Sequence, residues 1–377
     1  FEGCSSLTRV IIPNSVTSIG AHAFEGCTNL ETLIIWGDPD IGEYAFEYAK
    51  LQSLVIPDTV IRMQPGAFAM NEYLTSLTLG KGLTDISESA FWGGALLREV
   101  TIPASVISID ESAFGSCGIQ TLTFEQGSQL SLIDDGAFSG CELTELVLPS
   151  TLTRIGASAF SANDLVSVKF EENSQIVNID GLAFQGNVYL MEMELPEGLL
   201  NIGAGAFELT VSLTEITLPS TLQTLGGFAF ANSGLLEVTL PASLISLGYG
   251  AFASCDAIEN IYVQEGNAYY IDVDGVVYSA DGLTLVEYPA GNPRTQYAAV
   301  EGITKVGEYA FYGCSALASV TIPDGVTPIN YGTFEGCSSL ASITIPGSVT
   351  SIAADAFAGC SGLYMPALPA SLNPACR

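Results

Sequence analysis

The chain has 377 residues, with 41 acidic and 10 basic side chains and a formal net charge of −31; this is the wrong sign for a phosphate-binding surface and excludes nucleic acid as a partner class. Hydrophobic residues make up 48%, yet no apolar run reaches the roughly 18 residues of a membrane-spanning helix, so no membrane insertion by this stretch is expected. A chain of this length could hold two or three ordinary domains, but a fixed internal period argues for one elongated body with a continuous core.

The period is carried by an Ala-Phe pair that ends a segment such as Leu7 to Cys27 and returns at Phe24, Phe46, Phe68, Phe91, Phe114, Phe138, Phe160, Phe184, Phe207, Phe230 and Phe252, then at Phe311, Phe334 and Phe357. Apart from one gap the spacing is nearly constant, and only Thr333 replaces the Ala. The chain opens inside a repeat, because residues 1–7 have the same sequence as residues 334–340. The expectation is a piece of a longer protein whose export signal and anchor lie elsewhere.

Each unit begins L-x-x-V-x-I-P, as in Leu7/Val10/Ile12 and Leu213/Ile216/Leu218. Its alternating end predicts a short strand with one buried face. Prolines such as Pro13, Pro57 and Pro149 end that strand, since proline has no N–H for the ladder. A hydroxyl or glycine follows two residues later, then a second apolar pair such as Val16 with Ile19, and then Gly or Asp turns the chain. The closing x-x-Ala-Phe-x-Gly-Cys is too short for a free helix and is expected to form a single helical turn that drops Phe into the core. No unit buries its apolar face alone, so stability must come from stacking.

Eight of the nine cysteines, Cys4, Cys27, Cys117, Cys141, Cys255, Cys314, Cys337 and Cys360, fall three residues after a repeat Phe; residues such as Ala49, Asn71, Gly94 and Asn163 fill the same slot elsewhere. Parallel side chains on coils ~5 Å apart hold their Cβ atoms too far apart for a bond that needs about 3.8 Å. They are expected to be reduced, small, buried hydrophobes. Cys376 stands outside the slot.

These residues resemble a known family. The L-x-x-L-x-L opening is that of leucine-rich repeats, and the x-[ST]-[LV]-x-x-I-G-x-x-A-F-x-G-C continuation is similar to the BspA-like subclass, over essentially the whole chain. Ser, Thr or Gly stands where ordinary leucine-rich repeats carry an Asn ladder. The resemblance implies a repeat solenoid (leucine-rich repeat) of about 23 residues per unit, with a parallel short-strand sheet on its concave side and short helical turns and loops elsewhere. It also implies secreted or surface-attached proteins, several of them adhesins. The expected organisation is a single solenoid over 1–377.

One β-meander insert at about 264–296 breaks the count, since the step from Phe252 to Phe311 is longer than two units. Asp274-Gly275 and Asp281-Gly282 read as hairpin turns between alternating strands, so the meander is expected to project from the stack. Its D-G-V-V-Y-S-x-D-G-x-T-L-V-x-Y-P run is similar to a recurrent insert of the same family. The last unit decays at Met365-Pro366-Ala367.

Chemistry is hard to place. His22 is the sole histidine, and no nucleophile–base pair, phosphate loop or metal cluster is found, so no catalysis, cofactor or metal site is expected. Asp272-Val273-Asp274-Gly275 fits a hairpin turn better than a calcium loop, which needs Gly at its sixth position. The outward strand positions are more informative. Glu99, Glu145, Glu192, Glu215 and Glu237 share one row with hydroxyl residues and Asn260, and Lys169, Glu194, Thr217, Thr239 and Tyr262 lie in the other. The candidate binding residues are Glu145, Lys169, Glu192, Glu194, Glu215, Thr217, Glu237, Thr239 and Tyr262. Exposed strands favour Thr and Ser whatever their use, so three uses remain open. The leading expectation is a non-enzymatic, monomeric, extracellular or cell-surface binding protein that takes a host or neighbouring-cell protein, basic in character, on its concave face. A structural spacer or stalk displaying another domain is the alternative, and an ice- or mineral-binding lattice is a minor one.

Overall fold

The computed structural model describes residues 1–363; the decayed unit at Met365-Pro366-Ala367 and Cys376 lie outside the described residues. The chain divides into two compact units, Phe1–Leu199 and Leu200–Arg377. Each is a stack of coils, one coil to each Ala-Phe repeat.

In the first unit the L-x-x-V-x-I segments pair in parallel. Arg9–Ile12, Thr32–Ile35, Ser53–Val55 and Ser76–Thr78 form one ladder, Glu99–Ile102 pairs with Thr121–Phe124, and Glu145–Leu148, Ser167–Phe170 and Glu192–Met193 form a third. A second, two-residue ladder runs through Asp85–Ile86, Ser108–Ile109, Leu132–Ile133, Arg154–Ile155 and Asn178–Ile179. The second unit repeats the plan with Glu237–Leu240 on Asn260–Val263, with Gln296–Ala298, Ser319–Thr321 and Ser342–Thr344, and with its own short ladder through Asn201–Ile202, Thr224–Leu225 and Ser246–Leu247.

The Ala-Phe segment is not the helical turn expected from its composition. Its N–H groups alternate between two destinations. His22, Phe24 and Gly26 donate to Glu43, Ala45 and Glu47 of the next coil at 2.8–2.9 Å, while Ala23, Glu25 and Cys27 donate back to Gly20, His22 and Phe24 of their own coil at 3.2 Å. Residues two before and two after Phe adopt left-handed backbone to do so, as in His22 (φ 58) and Gly26 (φ 67), and a right-handed helix tolerates neither. A helix would send every N–H back along its own axis and leave the stack without bonds here; buried backbone groups must be paired.

Inside the first unit the rings form an unbroken column from Phe1 to Phe184, with centroids 5.0–5.8 Å apart and planes within 11° of parallel, within the offset-stacked range. The second unit stacks Phe207, Phe230 and Phe252, then Tyr288, Phe311, Phe334 and Phe357. The slot three residues after Phe also differs from expectation. The thiols are free, and Cys27, Cys117, Cys141, Cys255, Cys314 and Cys337 are buried, while Cys4 is exposed, but they are more than small hydrophobes. Cys117, Cys141, Cys255 and Cys337 each donate to the Phe carbonyl one coil back, at 3.0–3.2 Å. Asn71 and Asn163 do the same work with an amide, each reaching two Phe carbonyls. A carbonyl oxygen accepts two hydrogen bonds, and where Cys or Asn fills the slot it donates to the capacity that the turn leaves over, whereas Ala49 and Gly94 have no side-chain donor to give. Burial pushes the Cys117 and Cys255 thiols up to about 12, which keeps them protonated and donating.

The insert forms its meander, Tyr270–Val273, Val276–Ser279 and Thr284–Glu287, with Asp274 (φ 51) and Gly275 (φ 79) both left-handed as a tight hairpin turn requires. It does not project. Thr284–Glu287 continues in parallel onto Lys305–Val306, the Ile261 N–H donates to the Gly275 carbonyl at 3.0 Å, and Val276, Val277, Tyr278 and Leu285 are buried. Strands this apolar need cover, and they find it in the second unit's core.

Two outcomes test this packing. Phe160→Ala removes a fully buried ring from the column and should cost about 3–5 kcal/mol in denaturant unfolding. Alkylation of the native protein, read by mass spectrometry, should label Cys4 promptly and Cys117, Cys141, Cys255 and Cys337 only after unfolding; equal labelling would contradict the packed slot.

Candidate functional site

The outward strand side chains fall into the rows expected from their alternation. In the first unit one row reads Arg9, Thr32, Ser53 and Ser76, then Glu99 beside Thr121, then Glu145, Ser167 and Glu192. The second row reads Ile11 beside Ile34, Val55 beside Thr78, Thr101 beside Thr123 and Val147 beside Lys169. The face therefore grades from apolar, with Trp36 64% exposed at its edge, through hydroxyl to charged. Glu145, Lys169, Glu192 and Glu194 are exposed. Lys169 Nζ lies 3.8 Å from Glu192 Oε2, whereas Glu99 and Glu145 make no ion pair among the described residues. The Thr101 and Thr123 hydroxyls bond each other at 2.9 Å and so spend part of their capacity within the sheet rather than as a free lattice.

In the second unit Glu237 lies beside Asn260 and Thr239 beside Tyr262 in strand register. Glu215 and Thr217 reach the surface, but residues 213–218 form no strand; the segment still accepts the Leu236 N–H at the Thr214 carbonyl at 3.1 Å. Glu194 likewise falls just beyond its strand, Glu192–Met193, where Glu-Met-Glu is a poor strand former. Among the described residues no group of three or more His, Cys, Asp or Glu is placed to hold a metal ion, and no helix is long and apolar enough to cross a membrane. His22 is exposed, bonded to Glu25 at 2.5 Å and stacked on Tyr44.

One buried charge-bearing group escaped the sequence reading. Glu287, 1% exposed, ends the third insert strand and turns inward in the second unit. Its Oε1 accepts the Phe252 N–H at 3.2 Å, the bond that a backbone carbonyl of the next coil supplies elsewhere, as Ala45 does for Phe24. Its Oε2 has no partner. Burial pushes the carboxyl up to about 8, against the opposing pull of the Phe252, Ala251 and Gly250 N–H groups. The only signal available in sequence was an acid at a strand position where its neighbours Leu285 and Tyr288 point into the core.

Parallel short strands, a Leu-lined core and one coil per Ala-Phe repeat define a leucine-rich-repeat solenoid. The family model of a BspA type leucine-rich repeat region, itself of six repeat copies, matches residues 1–120, 86–186, 177–291 and 294–375, so the chain belongs to that family. Among solved structures it is similar to a leucine-rich cell surface protein of Faecalibacterium prausnitzii, at 25% identity over 85% of this chain and 82% of that one, with a TM-score of 0.55. A leucine-rich repeat protein from Bacteroides ovatus is 21% identical over 86% of this chain and 81% of that chain, with a TM-score of 0.53, which bears on the fold alone. The pneumococcal vaccine antigen PcpA is 26% identical over 72% of this chain, with a TM-score of 0.42, and the chain spans 57% of that protein. No curated protein matches the chain.

Glu287 makes the second unit's stability depend on pH. The unfolded chain releases this proton near 4.5 and the folded chain near 8, so the folded state binds more protons between those values and stability falls as pH rises through them. Asp110 and Glu47, whose carboxyls burial also raises, add a slope of the same sign in the first unit. Thermal melts of Glu287→Gln at about pH 5 and about pH 8 should show a smaller difference than the parent. An unchanged difference would mean that Glu287 is ionised in the folded protein.

Proposed function

We propose that this chain is a non-enzymatic cell-surface binding protein whose strand face takes a basic segment of a protein on a host or neighbouring cell. The observation that carries the reading is the row of exposed, uncompensated carboxylates at Glu99 and Glu145, with Glu192 neutralised only by Lys169 at 3.8 Å. In the second unit Glu215 and Glu237 supply the same chemistry, flanked by Thr217, Thr239 and the half-exposed ring of Tyr262. Glu99, Glu145 and Glu192 stand on alternate coils, with Thr121 and Ser167 on the coils between; a Lys- or Arg-rich segment laid along the row supplies each with an opposite charge while its stems cover the Thr and Tyr side chains. Complementary charge also speeds encounter and favours the right partner more than it raises affinity. Family membership, and a structural relative described as a cell surface protein, support the surface placement.

The test is binding to a set of Lys/Arg-rich and neutral peptides across a salt series. Combined Glu99→Gln, Glu145→Gln and Glu192→Gln in one variant, and Glu215→Gln with Glu237→Gln in another, should each weaken basic-peptide binding by roughly tenfold and flatten its salt dependence. Indifference of every peptide to both variants would favour a stalk that merely displays another domain.

A further inference from the structure

A second candidate lies in the first unit, in a cleft of about 460 Å³ lined by Thr28, Asn29, Tyr48, Ala49, Lys50, Met70, Glu72 and Tyr73. These residues lie in turns or, for Ala49 and Lys50, in the segment that follows one, and none of them lies on a strand of the binding face. The volume falls within the usual range of small-ligand sites, about 300–1,000 Å³. Two tyrosines stand in it with 47% and 51% of their surface exposed, Tyr48 and Tyr73.

Side chains held at the turn's left-handed position form the walls of the cleft. Tyr48 (φ 55) and Met70 (φ 57) occupy the left-handed position two residues after Phe, where the coil before has Gly26 and the coil after has Gly93. Glycine meets that conformation freely, whereas a Tyr or a Met there is strained. Left-handed non-glycine residues stand at this position in other coils too, as Ser116, Ala162, Leu209 and Asn232 do; what sets these two coils apart is the size of the side chains, Tyr48 and Met70, which wall the cleft. The next coil accommodates them: a Cβ at Gly93 would fall 2.8 Å from Met70 Sδ.

The chemistry of the lining narrows the ligand. Lys50 is the single cation of the lining, and its Nζ is already 3.0 Å from Glu31 Oε1 and 5.5 Å from the centre of the Tyr73 ring. With that charge spent and the Glu72 carboxylate exposed on the rim, an anionic ligand is repelled. The polar rim and open mouth give no enclosure to a purely apolar one. What remains favoured is a ring with C–H faces to lie on tyrosine and hydroxyls to bond Thr28, Asn29 and Glu72, since tyrosine offers a rigid apolar face beside a polar tip. We propose that this cleft binds a neutral hexose unit of a glycan.

Saturation-transfer NMR with methyl glucoside, galactoside and mannoside, and with a sialoside and a Lys-rich peptide as separate arms, tests this. The expected result is transfer to at least one neutral hexoside, with affinity weakened roughly tenfold in Tyr48→Gly and in Tyr73→Ala, the loss of one stacking platform with its hydrogen bonds. Tyr48→Gly relieves the left-handed strain, so its melting temperature should hold or rise while binding falls, which a merely structural tyrosine would not show; Tyr73→Ala, at an unstrained position, gives an independent reading of binding. The Glu145→Gln/Glu192→Gln variant should keep the hexoside signal, which separates this cleft from the strand face. Absence of transfer to every neutral hexoside, transfer that survives Tyr48→Gly and Tyr73→Ala, or selective binding of the sialoside or the Lys-rich peptide would overturn the proposal.

Discussion

Every feature of the stack follows from the alternation of N–H groups in the Ala-Phe turn. By sending every second N–H to the next coil, as Phe24 does to Ala45, the turn becomes a third ladder alongside the two strand ladders. Three ladders fix the coil spacing on all sides near the ~4.8 Å between hydrogen-bonded strands, and the Phe rings follow with centroids 5.0–5.8 Å apart. The ladder requires left-handed residues on both sides of Phe. That is the reason for the recurrent glycine after it and for the cost wherever Tyr48, Met70 or Leu209 stands there instead.

Fixed spacing turns local choices into columns. A ring at one left-handed position lies flat over the next coil, so a Cβ at Gly66 would fall 2.2 Å from Tyr44 Cε1; glycine there is imposed by the neighbour's ring as well as by its own φ. The slot after Phe behaves alike. Its carbonyl partner is a constant, so Cys and Asn interchange although they differ in size and polarity, as Asn163 and Cys141 do in adjacent coils. Where the insert interrupts the column, the Phe252 N–H takes a side-chain carboxylate in place of a carbonyl, and the compromise leaves one buried oxygen unpaired.

Repetition made the coil and its rows legible, because a pattern sampled many times averages out local exceptions. The strand register that sets Glu145, Ser167 and Glu192 side by side could be counted from the Phe period alone. Backbone hydrogen bonding between coils leaves no such trace. The turn at Phe24 has helix-forming neighbours and the length of one helical turn, and only the acceptors on the next coil explain why it is not one. The thiols resembled hydrophobes because sequence shows their burial pattern and not the carbonyl they face. The insert's alternation was visible, but its apolar strands needed cover, and that cover came from the stack. At Glu215 the run Glu-Ile-Thr-Leu has the composition of the paired strand Glu237–Leu240 without quite matching its outcome, so local propensity does not decide strand pairing there.

Charge distribution is the last consequence of the stack. With 41 acids against 10 bases, cations are scarce, and several serve as links between coils away from the strand face. Arg154 joins Asp134 and Asp135 of the preceding coil to Asp180 of the following one at 2.7–3.3 Å. Arg98 reaches Glu142 at 2.6 Å and the Gly118 carbonyl at 3.0 Å, and Lys81 pairs with Glu125 at 3.2 Å. These groups are largely solvated, so each pair contributes little by itself. Their effect is local: Glu125, Glu142, Asp134, Asp135 and Asp180 find partners in another coil, whereas Glu99, Glu145 and Glu237 on the strand rows make no ion pair among the described residues. With a net charge of −31, far more carboxylates than these stay without a cation, so at Glu99, Glu145 and Glu237 the strand rows differ from the edges in lacking cross-coil links of this kind and not in holding all of the uncancelled charge.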